Sequence, residues 1–165
     1  MKLDLGSGYI KRPGYTSVDI DKKVNPDIRA DIRTLKPIKS NSVDEILCSH
    51  TLEHIYQKDL FKTLRTFNRI LKPNGKITII VPAIVNAVLD YHAGRIDYKK
   101  LDTVVLGNDQ NATKYMLHKN IFTIQKIERY LLVTGFTEIE TRNNAKTYET
   151  IATARKPNQT KNAEP

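Results

Sequence analysis

The sequence has a single cysteine, Cys48. That excludes an internal disulfide and fits a reducing compartment, so a cytoplasmic location is expected. No apolar run approaches the roughly 20 residues that span a bilayer, so no membrane span is expected. The first residues do not follow the charged, apolar, small-residue order of a secretory signal. There is no run of five or more lysines and arginines, and no basic stretch is interleaved with aromatics. Yet 27 Lys and Arg against 18 Asp and Glu leave a formal charge of +9. Basic residues scattered in this way describe a generally basic surface, which admits nucleic acid as a partner without favouring it.

What is present is the composition of a globular domain, 39% hydrophobic and 27% charged over 165 residues. That length supports one domain with a sizeable core. Residues 1–155 are expected to form it, with the polar stretch 156–165 as a disordered tail. Its most informative stretch is at the start. Leu3-Asp4-Leu5 reads as a short strand running into Gly6-Ser7-Gly8. Two glycines one residue apart let the backbone turn tightly and approach a ligand closely. Tyr15 to Ile20 reads as a second strand that ends on acid, Asp19 and Asp21. A carboxylate at the end of the second parallel strand is placed to accept hydrogen bonds from ribose hydroxyls. The pair describes a pocket for a nucleoside-containing cofactor. Between them, Tyr9 to Gly14 is too short for a crossover helix, so the first crossover is expected to be an abbreviated loop lining that pocket.

The rest alternates. Ile28-Arg29-Ala30 reads as a third strand ending at Asp31, which is either a cap or turn residue or a contact to the edge of a bound base. Val43 to Cys48 is a fourth strand. Gln57 to Leu71 is the best helix, with Leu60, Leu64, Phe67 and Leu71 on one face and Pro73-Asn74-Gly75 as its stop. Lys76 to Val81 is a fifth strand. Ala83 to His92 and Asp97 to Leu106 can form helices, followed by a polar loop from Gly107 to Thr113. An insertion at this point sits near the carboxyl ends of the strands and is a candidate substrate cover. Thr123 to Thr134 is a helix capped by Thr123 and stopped by Gly135. Phe136 to Thr141 and Thr147 to Ala154 form a closing antiparallel hairpin. This order of elements suggests an open α/β sheet.

Taken together, LDLGSG, PGYTSVDID, ADI, NSVDEILCSHTLEHI, RILKPNGKITIIVPA, HKNIFT and the late GF cover most of residues 2–140. In their order and spacing the chain resembles the class I S-adenosylmethionine-dependent methyltransferases, and more narrowly a small bacterial type of them. The resemblance implies a Rossmann-like open seven-stranded sheet, mostly parallel with its last strand antiparallel, and S-adenosyl-L-methionine as cofactor. It implies that Asp4, Leu5, Gly6, Ser7 and Gly8 form the cofactor turn, with the two glycines beneath the methionine part. Asp19 and Ile20 would hold the ribose, Asp31 and Ile32 would flank the adenine, and Ser49 and His50 would border cofactor and substrate. Members often carry a third glycine and a helix after the first strand, and many have an N-terminal helix over the cofactor. Here Tyr9 and a short loop stand in place of the former, and a partner subunit, a homodimer being one case, could supply such a cover.

Methyl transfer from a sulfonium is an in-line displacement that chiefly needs a nucleophile held at near-attack distance. A base is needed only where the acceptor must lose a proton. His50, His54 and His118 are the candidate bases, each with a plain alternative as a satisfied or surface histidine. His50 and His54 at i, i+4 would suit a metal pair, but no third ligand stands at useful spacing, so no metal is expected. Cys48 reads as core. Enzymes acting on cytosine C5 use a Pro-Cys pair here, and those acting on base amino groups use Asn/Asp-Pro-Pro-aromatic. Leu47-Cys48 and Ser49-His50-Thr51-Leu52 match neither. A nicotinamide oxidoreductase would want a third glycine opening a helix under the pyrophosphate, which Gly6-Ser7-Gly8 lacks. The function expected is methyl transfer to a small-molecule or glycan acceptor. The alternative from another class is a non-catalytic cofactor-fold subunit or an RNA-binding or RNA-modifying partner protein.

Overall fold

A computed structural model describes residues 1–107 and 117–158. The strands are β1 (Lys2–Leu5), β2 (Thr16–Asp19), β3 (Ile28–Arg29), β4 (Val43–Ser49), β5 (Leu71–Pro82), β6 (Thr137–Asn144) and β7 (Glu149–Arg155). The helices are α1 (Gln57–Ile70), α2 (Ile84–His92), α3 (Tyr98–Leu106) and α4 (Ile124–Val133). All seven strands form one sheet in the order β3-β2-β1-β4-β5-β7-β6. The pairs from β3 across to β5 are parallel, and β7 runs antiparallel to both of its neighbours. The expected α/β class, strand count and antiparallel last strand are all present.

Alternation in β1 buries Leu3 and Leu5 in the main core with Val18, Ile46, Ile77 and Ile79. Leu60, Leu64, Phe67 and Ile70 of α1 and Ile127 and Leu131 of α4 are fully buried against them. Fully burying an aliphatic side chain of this size stabilises by about 1.5–3 kcal/mol, so these two helix stripes hold the sheet. Cys48 lies in the same core, fully buried, and burial pushes its thiol pKa up. The Thr123 hydroxyl accepts from Lys126 N and starts α4 as its residue type suggests. A second, smaller cluster joins Ile84 and Ala87 of α2, Val104 of α3 and Tyr148.

The first crossover has no helix. Its loop instead lays charge on the sheet: Arg12 Nη1 donates to the buried Asp4 Oδ2 at 2.5 Å, and Lys11 Nζ to Ser17 Oγ at 2.6 Å. Two expectations need correction. β5 starts at Leu71, directly after α1, with Leu71 paired to Val43 and a register shift before Glu45 meets Lys76. Pro73-Asn74-Gly75 therefore lies inside the strand, with Asn74 at φ 62° at the irregularity. Lys156, expected in a disordered tail, belongs to the fold. It is buried, its N–H donates to Gly75 O, and its Nζ donates to Asn41 Oδ1 at 2.7 Å and Leu71 O at 2.8 Å. Residues 159–165 of that tail, and all of the Gly107–Thr113 loop beyond Gly107, lie outside the described residues.

Candidate functional site

β1 is the point where the strand order reverses, with β2 and β3 on one side and β4 and β5 on the other. Such a reversal opens a crevice at the carboxyl ends of the strands. The turn after β1 and the segment after β4 meet there. Gly6 N–H donates to Val18 O at 2.8 Å and Ser7 N–H to the same oxygen at 3.3 Å, folding the turn across the end of β2. Gly6 has φ 70°, and a Cβ on it would stand 2.3 Å from Thr51 Cγ2 and 2.4 Å from Thr51 Oγ1. The Thr51 hydroxyl lies 3.2, 3.3 and 3.0 Å from the carbonyls of Leu5, Gly6 and Ser49, tying the two segments together. Gly8, at φ 55°, has nothing within 4 Å of where a Cβ would stand. Its N–H donates to Asp19 Oδ2 at 3.0 Å, and Asp21 N–H donates to Asp19 Oδ1 at 2.9 Å. The main chain thus fixes the carboxylate while leaving it lone pairs for a further donor.

The crevice encloses about 1000 Å³. Gly6, Ser7, Gly8, Asp19, Ile20, Asp31, Ile32, Ser49, His50 and His54 all line it. Asp4, Leu5 and His118 do not. Leu5 is core, and Asp4 lies beneath the turn with Arg12, its Oδ1 without a hydrogen-bond partner among the described residues. Asp31 lines the crevice but is committed to Arg33, which donates to it from Nε, Nη2 and the main chain at 2.6 to 3.0 Å. These bonds, chiefly the guanidinium, hold its carboxyl below the usual range. Asp31 thus serves as a turn residue, accepting from Arg33 N–H, and stands beside the crevice. The abbreviated loop contributes Tyr9 and Ile10 to the lining, as expected of it, whereas sequence reasoning missed Val24, Arg33, Thr51 and Tyr56.

His50 follows β4 at φ 50°, a left-handed conformation uncommon for a side-chain-bearing residue. Its Nε2 lies 2.9 Å from Glu149 Oε1 and its Nδ1 3.4 Å from Glu53 Oε1. The first contact has hydrogen-bond geometry. The second is an ion-pair approach that leaves both Glu53 oxygens without a hydrogen bond. The Glu53 carboxylate and then that of Glu149 raise His50 to about 9, against the opposing effect of burial. Both ring nitrogens face acids, so His50 has no free nitrogen for an acceptor proton in this arrangement. His54 and His118, far apart in sequence, stack with ring centroids 5.2 Å apart. Burial lowers the His118 pKa.

A methyltransferase domain model matches residues 4–79, the stretch from β1 to β5 that builds this crevice. Over that stretch the chain is similar to the methyltransferase domain family. It is 33% identical over 94 residues to the ubiquinone/menaquinone biosynthesis C-methyltransferase UbiE of Idiomarina loihiensis. That match covers 54% of this chain and 36% of the relative, so the chain spans about a third of the length of the curated relative it matches. Among solved structures it is similar to a SAM-dependent methyltransferase of Methanosarcina mazei, with a TM-score of 0.68 at 18% identity over 96% of this chain and 92% of that one. It is also similar to the 1,6-didemethyltoxoflavin-N1-methyltransferase of Burkholderia thailandensis, solved with S-adenosylhomocysteine. There the TM-score is 0.62 at 17% identity, over 95% of this chain and 71% of that one. At these identities the two structures speak for the fold.

Proposed function

We propose that the chain transfers the methyl group of S-adenosylmethionine to a small-molecule or saccharide acceptor. The observation that carries the reading is the convergence of the Gly6–Gly8 turn, the Asp19 carboxylate and Ser49-His50 on one crevice. The residues fit the cofactor. Asp19 is an oriented acceptor for ribose hydroxyls, and Ile20 and Ile32 offer apolar surface to a base. The bare backbone of Gly8, open where a Cβ would stand, leaves space for the amino-acid end. Bound there, the sulfonium supplies an already activated methyl. The protein's task is then to orient the acceptor and exclude water. Ser49 and His50 border the acceptor side, with His50 held in place by Glu53 and Glu149.

Calorimetric titration with S-adenosylhomocysteine tests this, beside Asp19→Ala and Asp19→Asn and with NAD as control. Binding by the wild type and its loss by about tenfold or more in both variants is the expected result, since a site built to hydrogen-bond a hydroxyl depends on that acceptor. No binding at millimolar ligand would overturn the reading and leave a non-catalytic fold.

A further inference from the structure

We infer that Glu53, His54 and His118 form a binding site for a divalent transition-metal cation beside the cofactor crevice, and that the cation presents oxygen-bearing acceptors. The metal site stands on its own geometry, and only the acceptor clause rests on the function proposed above. One potential ligand atom from each of the three side chains lies within 4.8 Å of the others. Ligands about 2.1 Å from a common ion sit roughly 3–4 Å apart, so the side chains need close by only about 1 Å.

Three features point to a ligand rather than to chance proximity. Glu53 is 1% exposed and, among the described residues, neither of its oxygens has a hydrogen-bond partner, the His50 ring approaching Oε1 only to 3.4 Å. A buried carboxylate left in that state is costly unless a cation or donors meet it. His54 Nδ1 lies 3.1 Å from Leu117 O, and His118 Nδ1 lies 3.1 Å from Val105 O. A carbonyl only accepts, so both Nδ1 atoms carry a proton, and in the neutral rings both Nε2 atoms keep a lone pair. Tying the second ring nitrogen to a backbone carbonyl is how metal-ligating histidines are oriented. The frame is also rigid. Lys119 N–H and Asn120 N–H both donate to Glu53 O, at 2.7 and 3.0 Å, and His118 N–H donates to Leu106 O. These bonds clamp the segment bearing His118 onto the 3₁₀ turn Leu52–His54 that bears the other two.

Two imidazoles and one carboxylate suit manganese, iron, cobalt or zinc better than calcium or magnesium, which prefer all-oxygen sites. Three protein ligands leave positions open for outside oxygens. His54 lines the crevice, so those positions adjoin the acceptor side. The acceptors such a site favours carry a hydroxyl, or two neighbouring oxygens that chelate.

Untagged, chelator-stripped protein titrated with Co²⁺ gives the test, followed by visible absorption and calorimetry, with Mg²⁺ as comparison. The expected result is saturable binding of one Co²⁺ per chain with a ligand-field band. Affinity should fall by at least about tenfold in His54→Ala, His118→Ala and Glu53→Gln, and Mg²⁺ should bind far more weakly. Circular dichroism and S-adenosylhomocysteine affinity monitor the fold. His118→Ala should retain that affinity because His118 does not line the cofactor crevice. Absence of saturable Co²⁺ binding to folded wild type would overturn the inference, as would equal Co²⁺ affinity in folded His118→Ala and Glu53→Gln. Failure of S-adenosylhomocysteine binding with Co²⁺ binding intact would instead count against the proposed function.

Discussion

Gly6→Ala is the sharpest test of how the crevice is built. The substitution meets two separate penalties. At φ 70° a residue with a Cβ costs about 1–2 kcal/mol. The new methyl would also stand 2.3 and 2.4 Å from the side-chain tips of Thr51, and overpacking of that kind costs about 1–3 kcal/mol. The sum, about 2–5 kcal/mol, is a large part of the 5–15 kcal/mol that typically stabilises a domain. Gly8→Ala, with nothing within 4 Å, should show only the first term. Thr51→Ala removes the two closest atoms, leaves its Cβ at 2.9 Å, and loses one hydroxyl bond worth about 1 kcal/mol. Urea unfolding of the two singles and the double variant completes a cycle. The expected coupling is about 1–2 kcal/mol in favour of the double. Additivity within about 0.5 kcal/mol, or a Gly8→Ala as damaging as Gly6→Ala, would refute the clash argument.

Two further outcomes follow from buried charge. Burial pushes the Asp4 carboxyl above its ordinary value despite the Arg12 guanidinium. The folded state then holds this proton more tightly than the unfolded one. Stability from it is full below the unfolded value near 3.8 and is lost as pH rises through the higher folded value. Asp4→Asn should therefore gain stability relative to wild type between pH 3.5 and 7, read as urea midpoints, and a difference constant with pH would contradict this. Lys156→Ala should cost about 1–3 kcal/mol, because it strands Asn41 Oδ1 and Leu71 O. A variant with an unchanged thermal midpoint would show that Lys156 contributes nothing to the fold.

The fold could be read from the chain because its signals are local. Gly6 and Gly8, the alternation in Lys76–Val81 and the stripe on α1 each report a neighbourhood of a few residues. So do the turn and acid that form one side of the crevice. What could not be read depends on distance in the chain. His118 reaches His54 only because α2 and α3 loop out and return, and Glu149 reaches His50 across the width of β5. The burial of Glu53 is invisible in Leu52-Glu53-His54, where an acid beside a histidine reads as surface. Lys156 looks like tail by composition, yet it finds two oxygen acceptors, Asn41 Oδ1 just before β4 and Leu71 O at the start of β5. The early start of β5 was hidden by Pro73-Asn74-Gly75, whose usual meaning as a stop applies to helix α1 and not to the strand that follows it.

The direction of β7 has one more consequence. Because it runs against its neighbours, its first residue arrives where theirs end, with Glu149 opposite Pro82 and within reach of His50. Tyr148, the residue before it, anchors to α2 through its hydroxyl on Asp90 at 2.5 Å and to Ala83 through its carbonyl. The four-residue bend between Asn144 and Glu149 therefore acts as a ruler. Lengthening or shortening it by one residue would rotate the strand's side chains to the opposite face and present a different neighbour to the histidine. A region with no residue in the crevice thus sets which acid His50 meets, and drift in hairpin length is a route by which relatives of this chain can retune the histidine without altering the segment that carries it.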